Sequence, residues 1–262
     1  MSRVIYTTCG TSLLTSNCWQ GISHMPGVSE ASLRPQPGEP DKWEYERRYR
    51  RFVEDKRTER VDLAGLFDPK VWENRHWRRL PAELASLYAI RDYCRKHDSL
   101  GDLNRNDRVV LIHADNADAA YCADIILRVL RDKRLLDDVT IEEPAWTVPG
   151  LDPAKVNVFP QAIEQLWSFL LERMAGADEV HYLNLTGGYK ALVIMCAMYG
   201  YQSGFRKARL FYLNEEAAGS GILVLGFDLG NRLSGGFGSI KTDYFDADSA
   251  TLIHQGFAPG EL

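Results

Sequence analysis

Short apolar runs bounded by polar or turn residues recur along the chain. They predict strands at Val4–Thr8, Arg108–His113, Val139–Glu142, Glu179–Leu183, Ala208–Leu213 and Ile222–Phe227. Helical periodicity fills the intervals. Pro81–Lys96 opens with proline in its first turn and carries Leu84, Leu87 and Ile90 on one face. Ala117–Arg131 places Cys122, Ile125, Ile126, Val129 and Leu130 together, and Gln161–Met174 does the same with Ile163, Leu166, Trp167, Leu170 and Leu171. Gly188–Tyr201 is apolar almost all round and predicts a buried helix.

Strands that alternate with helices predict an α/β fold: a Rossmann-like, mainly parallel sheet with helices on both faces. The turn-like "NEEAAGSG" between the last two strands predicts that an antiparallel pair ends the sheet. The reading is of a single domain over residues 1–262, with one interruption. The stretch that begins at Asn17 and fills residues 18–79 is too long for a strand-to-helix connection. Its first part is rich in Pro and Gly. Its second part, "KWEYERRYRRFVEDKRTER", sets Tyr45, Tyr49, Phe52 and Val53 on one helical face and pairs Glu44 with Arg48 and Glu46 with Arg50. It reads as an ordered insertion, with two roles open: a solvated charged helix, or a lid or dimer arm over a binding site.

Bulk properties narrow the classes. The 262 residues allow a sizeable core, and a net charge of −5 argues against a protein that coats long nucleic acid. Five cysteines form no CxxC pair and the six histidines are scattered, so no metal site or disulfide framework is expected. The first strand begins almost at Met1 and no apolar run is long enough to span a bilayer, so the expectation is a cytoplasmic protein with reduced thiols and no membrane contact.

Two strand-to-helix turns carry the candidate chemistry. The first is Thr7–Leu14, "TTCGTSLL", with Thr8, Cys9, Gly10, Thr11, Ser12 and Leu13 as candidate ligand contacts. The second is "NLTGGYK", with Asn184, Thr186, Gly187, Gly188, Tyr189 and Lys190. Small residues at the end of a strand let a ligand approach the backbone, and the start of the next helix favours an anion. In an open α/β sheet, ligands bind at the carboxyl ends of strands where the strand order reverses. Two such turns on adjacent strands would face one crevice suited to phosphates, although each turn alone equally suits a helix cap. Neither fits the GxGxxG or GxxxxGKS template. A third segment, "HADNADAAYCADII", offers Asp115 and Asn116 to a base or ribose, or as a cap for the following helix; the cap is the favoured reading. Arg75, His76, Arg78 and Arg79 form a basic cluster before Pro81. It reads either as an exposed basic turn or as a source of phosphate contacts and a proton donor.

With these residues in place, the chain resembles the CRISPR-associated CARF domains, in particular standalone ring nucleases and the sensor domain of Csm-type accessory ribonucleases. The motifs are "TTCGTSLL", "LPAELASL", "LIHADNADAAYCADII" and "NLTGGYK", in that order. The first and last are specific as a pair. The family usually has Thr and Gly where this chain has Asn116 and Ala119 or Ala120. The resemblance implies a homodimer whose crevice binds a cyclic oligoadenylate, with cyclic tetra-adenylate the leading ligand. It implies metal-independent cleavage by a ribose 2′-OH to 2′,3′-cyclic-phosphate products, with no cofactor. It places the family's serine on Ser12 and its lysine on Lys190. The same ligand on a non-catalytic sensor is the alternative. Many relatives carry an effector with an Arg/His motif. Arg91…His97 and Arg108…His113 match by spacing but fall inside the predicted sensor fold, and about 35 residues after Phe227 are too few for an added effector domain.

Overall fold

The computed structural model describes residues 2–12, 81–133, 136, 138–151, 157–174, 179–187, 208–213, 221–228, 239–246 and 251–255. The predicted insertion, the predicted helix Gly188–Tyr201 and the residues Leu13, Arg75, His76, Arg78, Arg79, Gly188, Tyr189 and Lys190 lie outside them.

The described chain runs β1 (Ser2–Cys9), α1 (Ala82–His97), β2 (Arg108–Ala114), α2 (Ala117–Lys133), β3 (Thr140–Ile141), β4 (Trp146–Val148), α3 (Phe159–Met174), β5 (Glu179–Asn184), β6 (Ala208–Leu213), β7 (Gly221–Asp228), β8 (Ser239–Asp246) and β9 (Thr251–Gln255). All the strands join one sheet in the order β3-β2-β1-β5-β6-β7-β8-β9, with β4 also paired to β2. Strands β1 to β6 are mutually parallel through their pairings. β7, β8 and β9 then follow as an antiparallel meander. The sheet is the expected Rossmann-like α/β arrangement. β7 pairs antiparallel with β6, as the "NEEAAGSG" turn predicts.

Three strands go beyond the expectation. β8 and β9 extend the sheet past β7, where the sequence reading ended at Phe227. β8, "SIKTDYFD", does alternate β-branched or aromatic residues with polar ones, a pattern suited to a strand. β4 is three residues long, too short for any periodicity to register. The helix α3 starts two residues earlier than periodicity places it, with Pro160 in the first turn, where proline's missing N–H is harmless.

The two sheet faces are covered separately. On one, Leu84, Leu87 and Ile90 of α1 and Cys122, Ile126 and Val129 of α2 pack on Ile5, Val109, Leu111, Tyr182 and Phe211. On the other, Ala162, Leu166 and Leu170 of α3 pack on Val4, Tyr6, Val110, Ile112 and Leu183. β1 therefore alternates Val4 and Tyr6 to one side with Ile5 and Cys9 to the other, the period-two rule for a strand covered on both faces. Burying each large apolar side chain here contributes about 1.5–3 kcal/mol, so these faces dominate stability.

Among the described residues, no helix is long and apolar enough to cross a membrane.

Candidate functional site

The strand order marks one switch point, the position where open α/β sheets commonly bind ligands. From β1 the chain moves to β2 on one side, and later to β5 on the other side of β1. Between β1 and β5 the order reverses, and the carboxyl ends of these two strands carry the two small-residue turns. Their register pairs Tyr6 with Leu183 and Thr7 with Asn184, so "CGTS" and "LTG" leave the sheet side by side. The adjacency that the sequence reading required is present.

The turns are tied by hydrogen bonds. Thr8 Oγ1 donates to the Gly187 carbonyl in a short contact and also lies 3.3 Å from the Asn184 carbonyl oxygen. Asn184 is fully buried. Its side-chain amide donates to Ser86 Oγ of α1 at 2.7 Å and to Thr7 Oγ1 at 3.4 Å. Its Oδ1 accepts the Thr186 hydroxyl at 2.9 Å, and Thr186 Oγ1 in turn accepts the Leu213 N–H at 3.0 Å, linking the turn to the end of β6. A buried amide so fully bonded is a rigid brace, since each orphaned group would cost about 1–3 kcal/mol.

Beneath both turns lies Glu83, in the first turn of α1 and fully buried. Its Oε1 accepts the Gly10 N–H at 2.7 Å, and its Oε2 accepts the Ser12 hydroxyl in a short contact. Ser12 Oγ also accepts the Ala82 N–H at 3.0 Å, closing an open donor at the start of α1 where Pro81 offers no side-chain cap. A Cβ on Gly187 would collide with Glu83 Oε1 and the Thr8 carbonyl oxygen and lie 2.8 Å from Glu83 Cδ. Gly187 is there because the backbone must pass that close. The same carboxylate thus grips the first turn and touches the second.

The structure sorts the sequence-predicted residues. Thr8, Gly10, Ser12, Asn184, Thr186 and Gly187 converge at the β1/β5 end, and Thr11 stands exposed beside them. Cys9 is oriented differently: its side chain is in the core with α1 and α2. Burial, and then the Glu83 charge, push its thiol well above the ordinary thiol range, so it is an unreactive core group. The Gly10 amide, a natural phosphate donor on paper, points inward to Glu83. Asn116 caps α2, its Oδ1 accepting the Ala119 N–H at 2.9 Å, while Asp115 is exposed at the end of β2. The cationic candidates Lys190, Arg75, His76, Arg78 and Arg79, and with them Leu13, Gly188 and Tyr189, fall outside the described residues.

Sequence reasoning missed Glu83, Ser86 and Thr7 as parts of this cluster. An acidic residue early in a helix ordinarily reads as a partner of the helix dipole. The available signal was that Glu83 sits among the apolar, buried positions of its helix. Arg108 and His113 occupy opposite ends of β2 and do not form a pair. Arg108 bonds Glu142 and Glu179 at 2.9 and 2.8 Å, and His113 Nε2 lies 3.0 Å from Thr147 Oγ1. Burial, only partly offset by the Ala114 carbonyl and Asp115, lowers the His113 pKa and keeps the ring neutral near pH 7. Among the described residues no group of three or more His, Cys, Asp or Glu side chains is placed to hold a metal ion.

Residues 78–220, more than half of the chain, match the family described as CRISPR-associated protein (Cas_APE2256). The chain belongs to this family of CRISPR-associated proteins. The matched region contains Glu83, Ser86, the β2 end with Asp115 and Asn116, and the whole "NLTGGYK" turn. It begins after the Thr7–Leu14 turn, whose tie to the family segment is the hydrogen-bonded contact with Glu83 and Gly187. No curated protein matches the chain.

Proposed function

We propose that this CRISPR-associated protein binds a cyclic oligoadenylate, with cyclic tetra-adenylate the leading ligand, at the carboxyl ends of β1 and β5. The observation that carries the reading is the side-by-side exit of two small-residue turns at the point where the strand order reverses. A ring of adenylates has internal symmetry, and a homodimer would offer each turn twice across its two-fold axis. The protein acts in the cytoplasm, without a cofactor, and switches off type III CRISPR signalling by destroying the messenger.

The proposed reaction uses a nucleophile that the ligand carries. A ribose 2′-oxygen attacks its neighbouring phosphorus, the O2′–P bond forms and the P–O5′ bond breaks. The 2′-OH proton is lost and the 5′-oxygen gains one, leaving a linear product with a 2′,3′-cyclic phosphate. The protein's part is to hold the ribose in line and to stabilise charge on the phosphoryl oxygens. Lys190 takes the second role and Ser12 contributes to the first. Arg75, His76, Arg78 or Arg79 would supply further phosphate contacts if the insertion reaches the crevice.

One observation favours a sensor that binds without cleaving. The Ser12 hydroxyl is engaged by Glu83 and by the Ala82 N–H, so it already has a bracing role. Incubation of the purified protein with labelled cyclic tetra-adenylate and EDTA separates the readings. Linear products ending in 2′,3′-cyclic phosphate support the nuclease. Intact ligand held tightly for hours supports the sensor, and absence of any binding overturns both. Lys190→Ala is expected to lower cleavage or affinity at least about tenfold, the loss of roughly one charge-assisted contact; unchanged turnover would remove Lys190 from the account.

A further inference from the structure

We infer that Glu83 is a positioning residue that makes Ser12 present a hydrogen-bond acceptor to the ligand, so that the first turn reads a ribose hydroxyl and not a phosphate. This deepens the functional reading above and rests on it. A serine hydroxyl has one proton to give and can accept two. The Ser12 proton goes to Glu83 Oε2, and one acceptor position takes the Ala82 N–H at 3.0 Å. What remains on this half-buried side chain is one acceptor position. The same carboxylate draws the Gly10 N–H inward at 2.7 Å. Two donors that the bare sequence offers to phosphate are therefore directed into the protein.

Phosphoryl oxygens only accept hydrogen bonds, so they find no donor in the Ser12 hydroxyl. The donors on a ring of adenylates are the ribose 2′-OH and the adenine amino group. The 2′-OH lies on the sugar-phosphate side that a small-residue turn can approach. The two turns then divide the work. The β1 turn, through Ser12 held by Glu83, takes the 2′-OH. The β5 turn, which leads to Lys190, takes the phosphate. Gly187 packed on Glu83 fixes the spacing between them.

The test compares cyclic tetra-adenylate with its all-2′-deoxy counterpart, titrated on ice against the full chain and its variants. The wild type is expected to prefer the ribose ring by about tenfold, one well-placed hydrogen bond. Ser12→Ala is expected to bring the two affinities together, and Ser12→Thr, which keeps the hydroxyl, to retain the preference. Glu83→Gln keeps the shape of the side chain and can still accept from Gly10, but its amide donates to Ser12 and releases the serine proton outward. The ratio of ribose-ring to deoxy-ring affinity should fall to about one in this variant, whatever happens to the absolute affinities. A merely structural Glu83 would weaken both rings in proportion and leave their ratio intact, which overturns the inference. So does a wild-type ratio near one, or a ratio that survives Ser12→Ala. If the wild type binds neither ring, the functional reading fails first and takes this inference with it.

Discussion

At the amino end of the strands a buried cation is met by anions; at the carboxyl end a buried anion holds the backbone of a turn. Arg3, fully inside the chain, is met by Asp98 at 3.0 Å, Asp107 at 2.8 Å and the carbonyls of Gly101 and Asp102 at 2.7 and 2.6 Å. Asp107 also accepts the Arg3 and Asn104 backbone N–H groups, and Asp98 accepts the Tyr182 hydroxyl. Arg209 completes the cluster through Tyr93, Tyr182 and Asp98. Each of these charges has an opposite charge in contact, so the amino end is a closed structural clamp. Glu83 holds a different kind of group: its carboxylate accepts the Gly10 amide and the Ser12 hydroxyl of a turn. A buried anion stabilised by the backbone of a turn ties that turn's shape to its own position. Buried polar groups thus clamp strands together at one end and set the shape of the proposed binding turns at the other.

The largest expected effect lies at the clamp. Arg3→Ala leaves Asp98 and Asp107 buried without their cation and should destabilise the protein by about 3–5 kcal/mol, read by chemical denaturation; a loss below about 1 kcal/mol would mean that the clamp is not a structural unit. Next comes Gly187→Ala. Its Cβ must push Glu83 or the Thr8 backbone aside, at a cost of about 1–3 kcal/mol, and the turns should separate enough to lower ring affinity about tenfold or more. Binding that survives this change would uncouple the turns from Glu83 and erase the distinction between the two ends.

The pH dependence follows from Asp98. Burial alone would raise its pKa, but hydrogen bonds from Tyr182 and the Leu100 N–H, with the charges of Arg209 and Arg3, outweigh it and hold the carboxyl below its ordinary value. The unfolded chain therefore takes up this proton first. The stabilisation is complete above about pH 4, and is lost as the pH falls from there through the depressed folded value. Denaturation at stepped pH should show Asp98→Asn with a shallower acid slope than the wild type; an identical slope would remove Asp98 from the clamp's energetics. The smallest effect is expected at the rim, where Arg95 meets Asp102 at 3.9 Å with both side chains exposed. Arg95→Ala should change stability by less than about 0.5 kcal/mol, in contrast with Arg3 only a short distance inside.

The sequence made the carboxyl end more legible than the amino end, for a physical reason. Small residues after an apolar strand are a local signal, so "TTCGTSLL" and "NLTGGYK" stand out without any knowledge of contacts. Arg3 lies 95 positions from Asp98 and 104 from Asp107 along the chain, and nothing in their neighbourhoods marks them as partners. Glu83 falls between these cases. It lies in the quoted "LPAELASL" segment, yet its role depends on an amide and a hydroxyl some seventy positions earlier. The parallel core was legible because buried strands read as continuous apolar runs, whereas the three-residue β4 gives periodicity nothing to detect.

The central claim is that ligand contact is confined to the carboxyl end of β1 and β5. Backbone hydrogen exchange of the full chain with and without cyclic tetra-adenylate tests it most directly. The account predicts added protection at residues 8–12 and 184–187, with the segment from Asp98 to Asp107 unchanged. Protection that appears around Arg3 and Asp98 instead, or nowhere under saturating ligand, would contradict it.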